Sequence, residues 1–307
     1  MTLTENTASQ SLVHLDRFEQ RTRELFPFMK DIVSRQVPAF GRPWQEELDE
    51  TLAHLFGEDE AAMTLALKGY VRFSLDAVKL QKRFEKERKY VARTYAEAAA
   101  RVYHNEEYMR GLYLPGILLS HYLWPHHYRQ LQHFRQVFLP EFLKSEGATF
   151  YDVGIGTGFY SRQLLRASAQ AHGTGFDISA HSIAYATAQL EAFGVADRYS
   201  IQCRDVVADP VGEPTRFLVS VEVLEHLEDP LSFLKALRGM LVPGGFGFIT
   251  AAITAPNDDH IYLYETARDV VVQLEEAGFD VADVYEDLAY PPKADEPVPR
   301  LGAFLVR

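Results

Sequence analysis

Phe150-Tyr151-Asp152-Val153-Gly154-Ile155-Gly156-Thr157-Gly158 reads as a buried strand that reaches an acidic residue and then three glycines at every second position. Phe159-Tyr160-Ser161-Arg162-Gln163-Leu164-Leu165 continues as a helix. Glycines suit such a turn because the backbone takes φ angles that side chains resist, and because a ligand comes close to the main chain. A nucleotide-like ligand on this turn is the expectation. A dinucleotide fingerprint requires G-x-G-x-x-G. The spacing here is G-x-G-x-G, with Asp152 two residues ahead of the first glycine. A carboxylate at that point serves a diphosphate poorly and a cationic amino-acid group well.

Working outward, residues from about Gly147 onward alternate strand and helix patterns. Strands are expected at Phe150–Val153, Gly173–Ile178, Tyr199–Cys203, Arg216–Val221 and Gly245–Ala252. Helices are expected at Tyr160–Gln170, His181–Phe193 and Pro230–Leu241. This β–α alternation implies a mostly parallel, doubly wound sheet of the α/β class. Phe279–Tyr285 and Arg300–Arg307 lack a crossover helix between them and are expected to pair antiparallel.

The D-x-G-x-G-x-G run resembles motif I of class I S-adenosylmethionine (SAM)-dependent methyltransferases. That resemblance implies that Gly154, Gly156 and Gly158 carry the amino-acid end of SAM and that Asp152 helps hold its ammonium group. Asp177 ends the second strand 19 residues past Gly158, where an acid can accept both ribose hydroxyls, with Ile178 beside it. Ser179 is available to cap the following helix, which favours ribose binding for Asp177. In the family the acid at Asp205 accepts from the adenine amino group and its neighbour Val206 covers the ring. Ser220-Val221-Glu222-Val223-Leu224-Glu225-His226-Leu227-Glu228-Asp229-Pro230 resembles the E-V-L-E-H-L-x-D-P segment of small-molecule methyltransferases of the ubiquinone-biosynthesis type. Leu241-Val242-Pro243-Gly244-Gly245-Phe246 matches the family's L-x-P-G-G turn before the fifth strand. The implied fold is the seven-stranded class I sheet over residues 141–307, preceded by an all-α cap or dimerisation domain over residues 1–140 that the resemblance does not cover.

Composition is compatible with that assignment. The chain has 307 residues, 47% hydrophobic and 24% charged, enough for a full core. No apolar run approaches membrane-spanning length, and the first residues lack the basic-then-apolar profile of a signal peptide. One cysteine, Cys203, excludes an intramolecular disulfide and a Cys-based zinc site, so a cytoplasmic location is expected. Residues 1–140 hold 19 Lys and Arg against 18 Asp and Glu, net +1, so the rest, with 12 against 25, carries −13 and brings the chain to −12. A surface that acidic repels nucleic acid and anionic membranes and suits a neutral or cationic small-molecule acceptor. Solubility alone explains the same number.

Residues 1–140 read as helical, with the strongest helix from about Asp59 to Tyr108. Its apolar stripe runs Phe73, Ala77, Leu80, Phe84, Val91, Tyr95, Ala98, Val102, and Glu87 alone breaks the steps. Opposite lies the mixed-charge run Lys82–Lys89, a solvated face. The stripe serves either as core or as a homodimer seam. Tyr113 and the run Leu119–Tyr128, with His126 and His127, form an aromatic cluster expected to cap the acceptor pocket or to pack the domains. No acid stands at ligand spacing from these histidines, and no metal is expected.

Methyl transfer from a sulfonium asks mainly for in-line placement of a nucleophile, desolvation and sometimes a base. Glu222, Glu225 and His226 follow the fourth strand and are catalytic candidates, Glu222 also adjoining the cofactor. Asn257, His260 and Tyr262 lie in a polar, aromatic loop after the fifth strand, suited to the acceptor, with His260 a second candidate base. Asp258 or Asp259 can cap the helix that follows. Two acceptor readings stand. Paired glutamates suit a cationic amine or guanidine such as free arginine, and His226 or His260 suits a hydroxyl. A SAM-binding partner subunit without catalysis is the alternative from another class, and an NAD-dependent oxidoreductase is disfavoured by the missing G-x-G-x-x-G.

Overall fold

A computed structural model of the chain describes residues 11–91, 93–293 and 296–307. Contacts group the chain into two compact units that divide between Leu67 and Lys68. In the first, α1 (Val13–Leu25) lies against α2 (Val37–Phe56). Leu15 and Phe18 of α1 and Trp44, Leu48 and Leu52 of α2 are buried, each set at the three-and-four spacing of one helix face. The Asp49 carboxylate accepts from the Leu15 backbone N–H at 2.8 Å, satisfying an amide in the open first turn of α1.

α3 (Glu60–Glu87) begins before the divide and ends after it. The long helix expected to reach Tyr108 stops here, where the apolar stripe misses its step. Arg88 turns to φ 53. Leaving the helix lets Tyr90 pack on Phe84, with ring centroids 5.5 Å apart, and accept the Ala255 backbone N–H at 3.0 Å. The helix restarts as α4 (Tyr95–Arg101), behind a capping box made by Thr94 and Glu97. α5 (Glu106–Tyr108), a π-helical turn over Met109–Tyr113, α6 (Leu114–Leu123), α7 (Pro125–Val137) and α8 (Leu139–Leu143) follow.

The sheet has seven strands: β1 (Thr149–Val153), β2 (His172–Asp177), β3 (Tyr199–Cys203), β4 (Thr215–Ser220), β5 (Leu241–Ile253), β6 (Val281–Leu288) and β7 (Arg300–Val306). Their order is β3-β2-β1-β4-β5-β7-β6. β1 to β5 pair in parallel, and β7 runs antiparallel between β5 and β6, as the sequence implied. Crossovers are α9 (Phe159–Ala167), α10 (Ala180–Ala192) and α11 (Pro230–Gly239), while α12 (Ala267–Glu276) joins β5 to β6. The turn expected at Leu241–Phe246 is part of β5 instead. Leu241 already pairs with Thr215, and a register shift before Phe217 absorbs the Pro-Gly-Gly.

Two apolar layers cover the sheet. On one face Val153, Leu218, Ile249, Phe304 and Val306 meet Leu234 and Leu237 of α11 and Val270 and Leu274 of α12. On the other, Phe150, Phe217 and Phe248 meet Phe134 of α7, Phe138 at the junction of α7 and α8, Phe142 of α8 and Tyr160 of α9, with ring centroids between 5.1 and 6.2 Å. Phe134, Phe138 and Phe142 recur at four-residue steps, so one side of α7–α8 faces the strands. This is why residues 68–140 group with the sheet, whereas composition placed the division at residue 140. No helix among the described residues is long and apolar enough to cross a membrane.

Phe134 is fully buried and touches three aromatic neighbours in this layer. Phe134→Ala is expected to lower the unfolding free energy of the sheet-bearing unit by about 3–5 kcal/mol, read from the midpoint of a urea titration.

Candidate active site

β1 and β4 are neighbours whose crossovers leave toward opposite edges, so the space beyond their carboxyl ends is the switch point of the sheet. β1 runs into the glycine turn there. Gly154, Gly156 and Gly158 all have positive φ, at 76, 49 and 72. Their surroundings differ. A Cβ on Gly154 would lie 2.4 Å from Val223 Cγ2, and one on Gly158 3.1 Å from the Ala186 Cβ, so those two permit close packing against the β4 loop and α10. A Cβ on Gly156 would meet nothing within 4 Å. Gly154 and Gly156 line a cavity of about 600 Å³, and Gly158, the cap of α9, does not.

Two carboxylates stand at this end of the cavity. Asp152 is buried and accepts from Ser161 Oγ at 2.6 Å, and that oxygen lies 2.7 Å from the Tyr199 hydroxyl. Burial pushes its carboxyl up to about 7 despite the Ser161 bond. Asp177 accepts the Ser179 N–H at 2.8 Å and the Gly156 N–H at 3.1 Å, and burial lifts it to about 6. Ser179 itself caps α10. Each Asp177 oxygen takes one backbone bond and keeps lone-pair capacity for a ligand hydroxyl. A buried carboxylate under an open glycine turn, with a second at the next strand end, fits an amino-acid nucleoside such as SAM. Asp152, Gly154, Gly156, Asp177 and the 42% exposed Ile178 could hold it.

Asp205 and Val206 do not join them. Asp205 is exposed, and its Oδ1 accepts the Val207 and Ala208 N–H groups at 2.9 and 3.3 Å. Val206 is buried in the α11-side core. Neither lines the cavity. Tyr95, at the start of α4, lines it instead, close enough to feel the charges of Asp205 and Asp177 after burial as causes of its raised phenol pKa. The capping box ahead of Tyr95 was legible in Thr94-Tyr95-Ala96-Glu97, but nothing in it pointed to the site.

The second group follows β4. Glu222 sits at φ 54, held by Thr250 of β5. Thr250 Oγ1 accepts the Glu222 N–H at 2.9 Å and donates to its carboxylate at 2.7 Å. Burial pushes the Glu222 carboxyl up to about 7. Glu225 is fully buried, and neither carboxylate oxygen has a hydrogen-bond partner among the described residues. Burial and the Glu222 charge hold its carboxyl well above the usual range. Its backbone oxygen accepts from the Ile261 and Tyr262 N–H groups at 2.9 and 3.0 Å, which ties the β4 loop to the β5 loop.

His226 and His260 meet over Glu225, with ring centroids 4.8 Å apart. His226 Nδ1 lies 3.2 Å from the Asp259 carbonyl oxygen and 3.3 Å from Asp259 Oδ2, while Nε2 lies 3.9 Å from Glu225 Oε1. His260 Nδ1 donates to the Ala255 carbonyl at 2.5 Å, and burial pushes its imidazole down to about 3. Both Nδ1 atoms face acceptors, so both rings carry the proton there and leave Nε2 bare. Asp259 is fully buried rather than a helix cap, a role that Thr266 fills for α12. Its Oδ2 accepts from Tyr113 at 2.6 Å and Tyr103 at 3.0 Å. Burial would raise the Asp259 carboxyl, but His226, His260 and the two phenols bring it below the usual range.

The cavity wall between these groups is apolar, with Phe73 and Ala77 of α3, Leu114 and Ile117 of α6, Trp124 and Leu301. Phe73 stacks on Trp124 at 5.4 Å. Tyr113, His126, His127 and Asn257 line it as well. α7 starts at Pro125, so His126 and His127 share its first turn and the same cavity, with rings 4.6 Å apart. Tyr262 does not line it. Its hydroxyl accepts from Gln273 of α12 at 2.7 Å and its ring packs on the α11–α12 core.

Residues 150–245 match the family described as a methyltransferase domain. Ubiquinone biosynthesis O-methyltransferases of Cereibacter sphaeroides and Parvibaculum lavamentivorans are 34% and 33% identical over 103 and 104 residues, 34% of this chain in each case. The chain spans 40% of the length of these relatives. Among solved structures, a SAM-dependent methyltransferase from Geobacter sulfurreducens in complex with S-adenosyl-L-homocysteine (SAH) aligns over 55% of this chain and 88% of its own, at 17% identity and a TM-score of 0.42. The match to a methyltransferase-domain family over residues 150–245 holds the glycine turn, the first four strands of the sheet and the start of the fifth, and the strand order of the whole sheet agrees with the class I, SAM-dependent resemblance read from the sequence.

Proposed function

We propose that the chain is a SAM-dependent O-methyltransferase whose acceptor is a small molecule with a hydroxyl group on a largely apolar body. One observation carries this reading: the glycine turn and the buried carboxylate–imidazole cluster open into the same apolar cavity. SAM would lie over Gly154 and Gly156 with its ammonium toward Asp152 and its ribose toward Asp177. The acceptor hydroxyl would meet the cluster of Glu222, Glu225, His226 and His260. There its proton passes to the Glu222 carboxylate or the bare Nε2 of His226, its oxygen attacks the sulfonium methyl in line, the carbon–sulfur bond breaks, and SAH leaves. The helices of residues 68–137 wall the acceptor space with Phe73, Ile117 and Trp124, consistent with a cap.

The names of the relatives, ubiquinone biosynthesis O-methyltransferases, agree with a hydroxyl acceptor. A guanidinium or amine acceptor finds less support. It needs two open carboxylates, whereas Glu222 is engaged by Thr250 and Glu225 lies fully buried among the histidines. The complete glycine turn with Asp152 and Asp177 also argues against a partner subunit that only binds SAM.

Two expectations follow. Raised carboxyl pKa values at Asp152 (about 7) and Asp177 (about 6) mean that a ligand ammonium and ribose are held best once both groups ionise. SAH affinity by calorimetry should therefore rise from pH 5 to pH 8, and Asp152→Asn should flatten the upper part of that rise. Stability of the ligand-free protein has the opposite sign. The folded carboxyls bind protons that the unfolded chain releases near pH 4, so their contribution is complete below that pH and is lost as pH rises through 6 to 7.

For the acceptor, transfer of labelled methyl groups should be measured with catechols carrying apolar substituents and, in parallel, with arginine and agmatine. Turnover of the hydroxyl compounds is expected, with His226→Ala lowering kcat by about 10²–10⁴-fold and leaving SAH affinity within about twofold. Methylation of the guanidines alone sinks the reading.

A further inference from the structure

We infer that Glu225, His226 and His260 form a site for a divalent transition-metal ion, to which the acceptor hydroxyl binds. Their three ligand atoms lie within 4.8 Å of one another, at the loops after β4 and β5 and apart from the glycine turn. The inference rests on the O-methylation reading for its chemistry, but the ion site stands on its own geometry.

Three observations point to an ion rather than a structural cluster. First, Glu225 is fully buried with both carboxylate oxygens unpartnered. A buried carboxyl without hydrogen bonds is costly in either protonation state, and a bound cation removes that cost. Second, the two histidines are oriented alike. His226 Nδ1 is engaged by Asp259 and His260 Nδ1 by the Ala255 carbonyl, so each ring has its Nε2 lone pair free. A carboxylate or carbonyl behind the distal ring nitrogen is the arrangement that fixes the tautomer of metal-bound histidines and raises their basicity. Third, the backing is itself braced. Tyr103 and Tyr113 donate to Asp259 Oδ2 and fix that carboxylate behind His226. Tyr90 accepts from the Ala255 N–H, which fixes the segment whose carbonyl holds His260.

The donor set selects the ion. Two imidazoles and one carboxylate suit zinc, manganese, iron or cobalt in the divalent state, whereas calcium and magnesium prefer all-oxygen sites. Three protein ligands leave positions open. A hydroxyl bound there becomes far more acidic. Its proton passes to the Glu222 carboxylate, which lines the cavity beside the ligand set. The resulting oxyanion takes the methyl group from SAM, and SAH and the methyl ether leave.

The test uses the full-length chain, stripped with chelator, dialysed and checked for folding by SAH binding, then titrated with cobalt(II). One ion per chain with a visible ligand-field spectrum is expected. Glu225→Gln and His260→Ala should weaken cobalt binding by more than about 100-fold, and Asp259→Asn by about 10–100-fold, the range for an outer partner. SAH-competent protein that binds no cobalt, or ligand variants that bind it as tightly as the parent, would overturn the site. Full-rate methylation of a catechol by metal-free protein overturns the metal's role and leaves the O-methylation reading intact. Cobalt binding without hydroxyl methylation supports the site and removes that reading.

Discussion

Burying negative charge is the constraint that shapes this chain. Asp152, Asp177, Glu222 and Glu225 line one cavity, the first and last buried and the other two half-buried, Asp259 is buried behind its wall against Tyr113, and no lysine or arginine pairs with any of them among the described residues. Each must then be stabilised by hydrogen bonds, by a proton or by a cationic ligand. The solutions differ, and the differences assign the roles. Asp177 takes two backbone N–H groups and remains a hydrogen-bond acceptor. Asp259 takes two phenols and two imidazole neighbours and stays ionised. Asp152 and Glu222 each have one hydroxyl donor, and Glu225 has none. The least satisfied groups are those best placed to receive positive charge from a ligand.

Much of this was legible in the sequence where the signal was local. The strand–glycine–helix run, the β–α alternation and Asp177 at the end of β2 are set by residues adjacent in sequence, and the structure places them as expected. Asp205 and Val206 lie off the cavity, because a loop of the right length after β3 says nothing of which side chain turns inward. Asp205 found two backbone amides in its own turn, a stronger local offer than a distant ligand. Tyr262 lies off the cavity for a related reason: its ring has a hydrophobic neighbour in Tyr264 and its hydroxyl a partner in Gln273. Either Asp258 or Asp259 suits a helix cap in the sequence, because Asp before a helix commonly is one, and only tertiary structure shows two tyrosines bonded to Asp259.

The helical region was harder to divide. Composition separates residues 1–140 from the rest, but packing does not, because α7 serves two layers at once. Its first turn supplies His126 and His127 to the cavity, and its middle supplies Phe134 to the aromatic layer on the sheet. Wall and core are therefore one rigid element. A substitution that moves α7 on the sheet also moves the cavity wall, so the shape of the cavity is coupled to stability more tightly than in one built from surface loops.

The hydrogen bonds from Tyr103 and Tyr113 to Asp259 join residues 156 and 146 positions apart, and the Tyr90–Ala255 bond spans 165. The glycine turn, by contrast, is completed by Asp177 within 21 positions of Gly156. The two halves of the site thus differ in contact order, and loop-closure entropy delays long-range pairings relative to local ones. The nucleoside half can assemble from one contiguous stretch, while the acceptor half waits for both ends of the unit to meet.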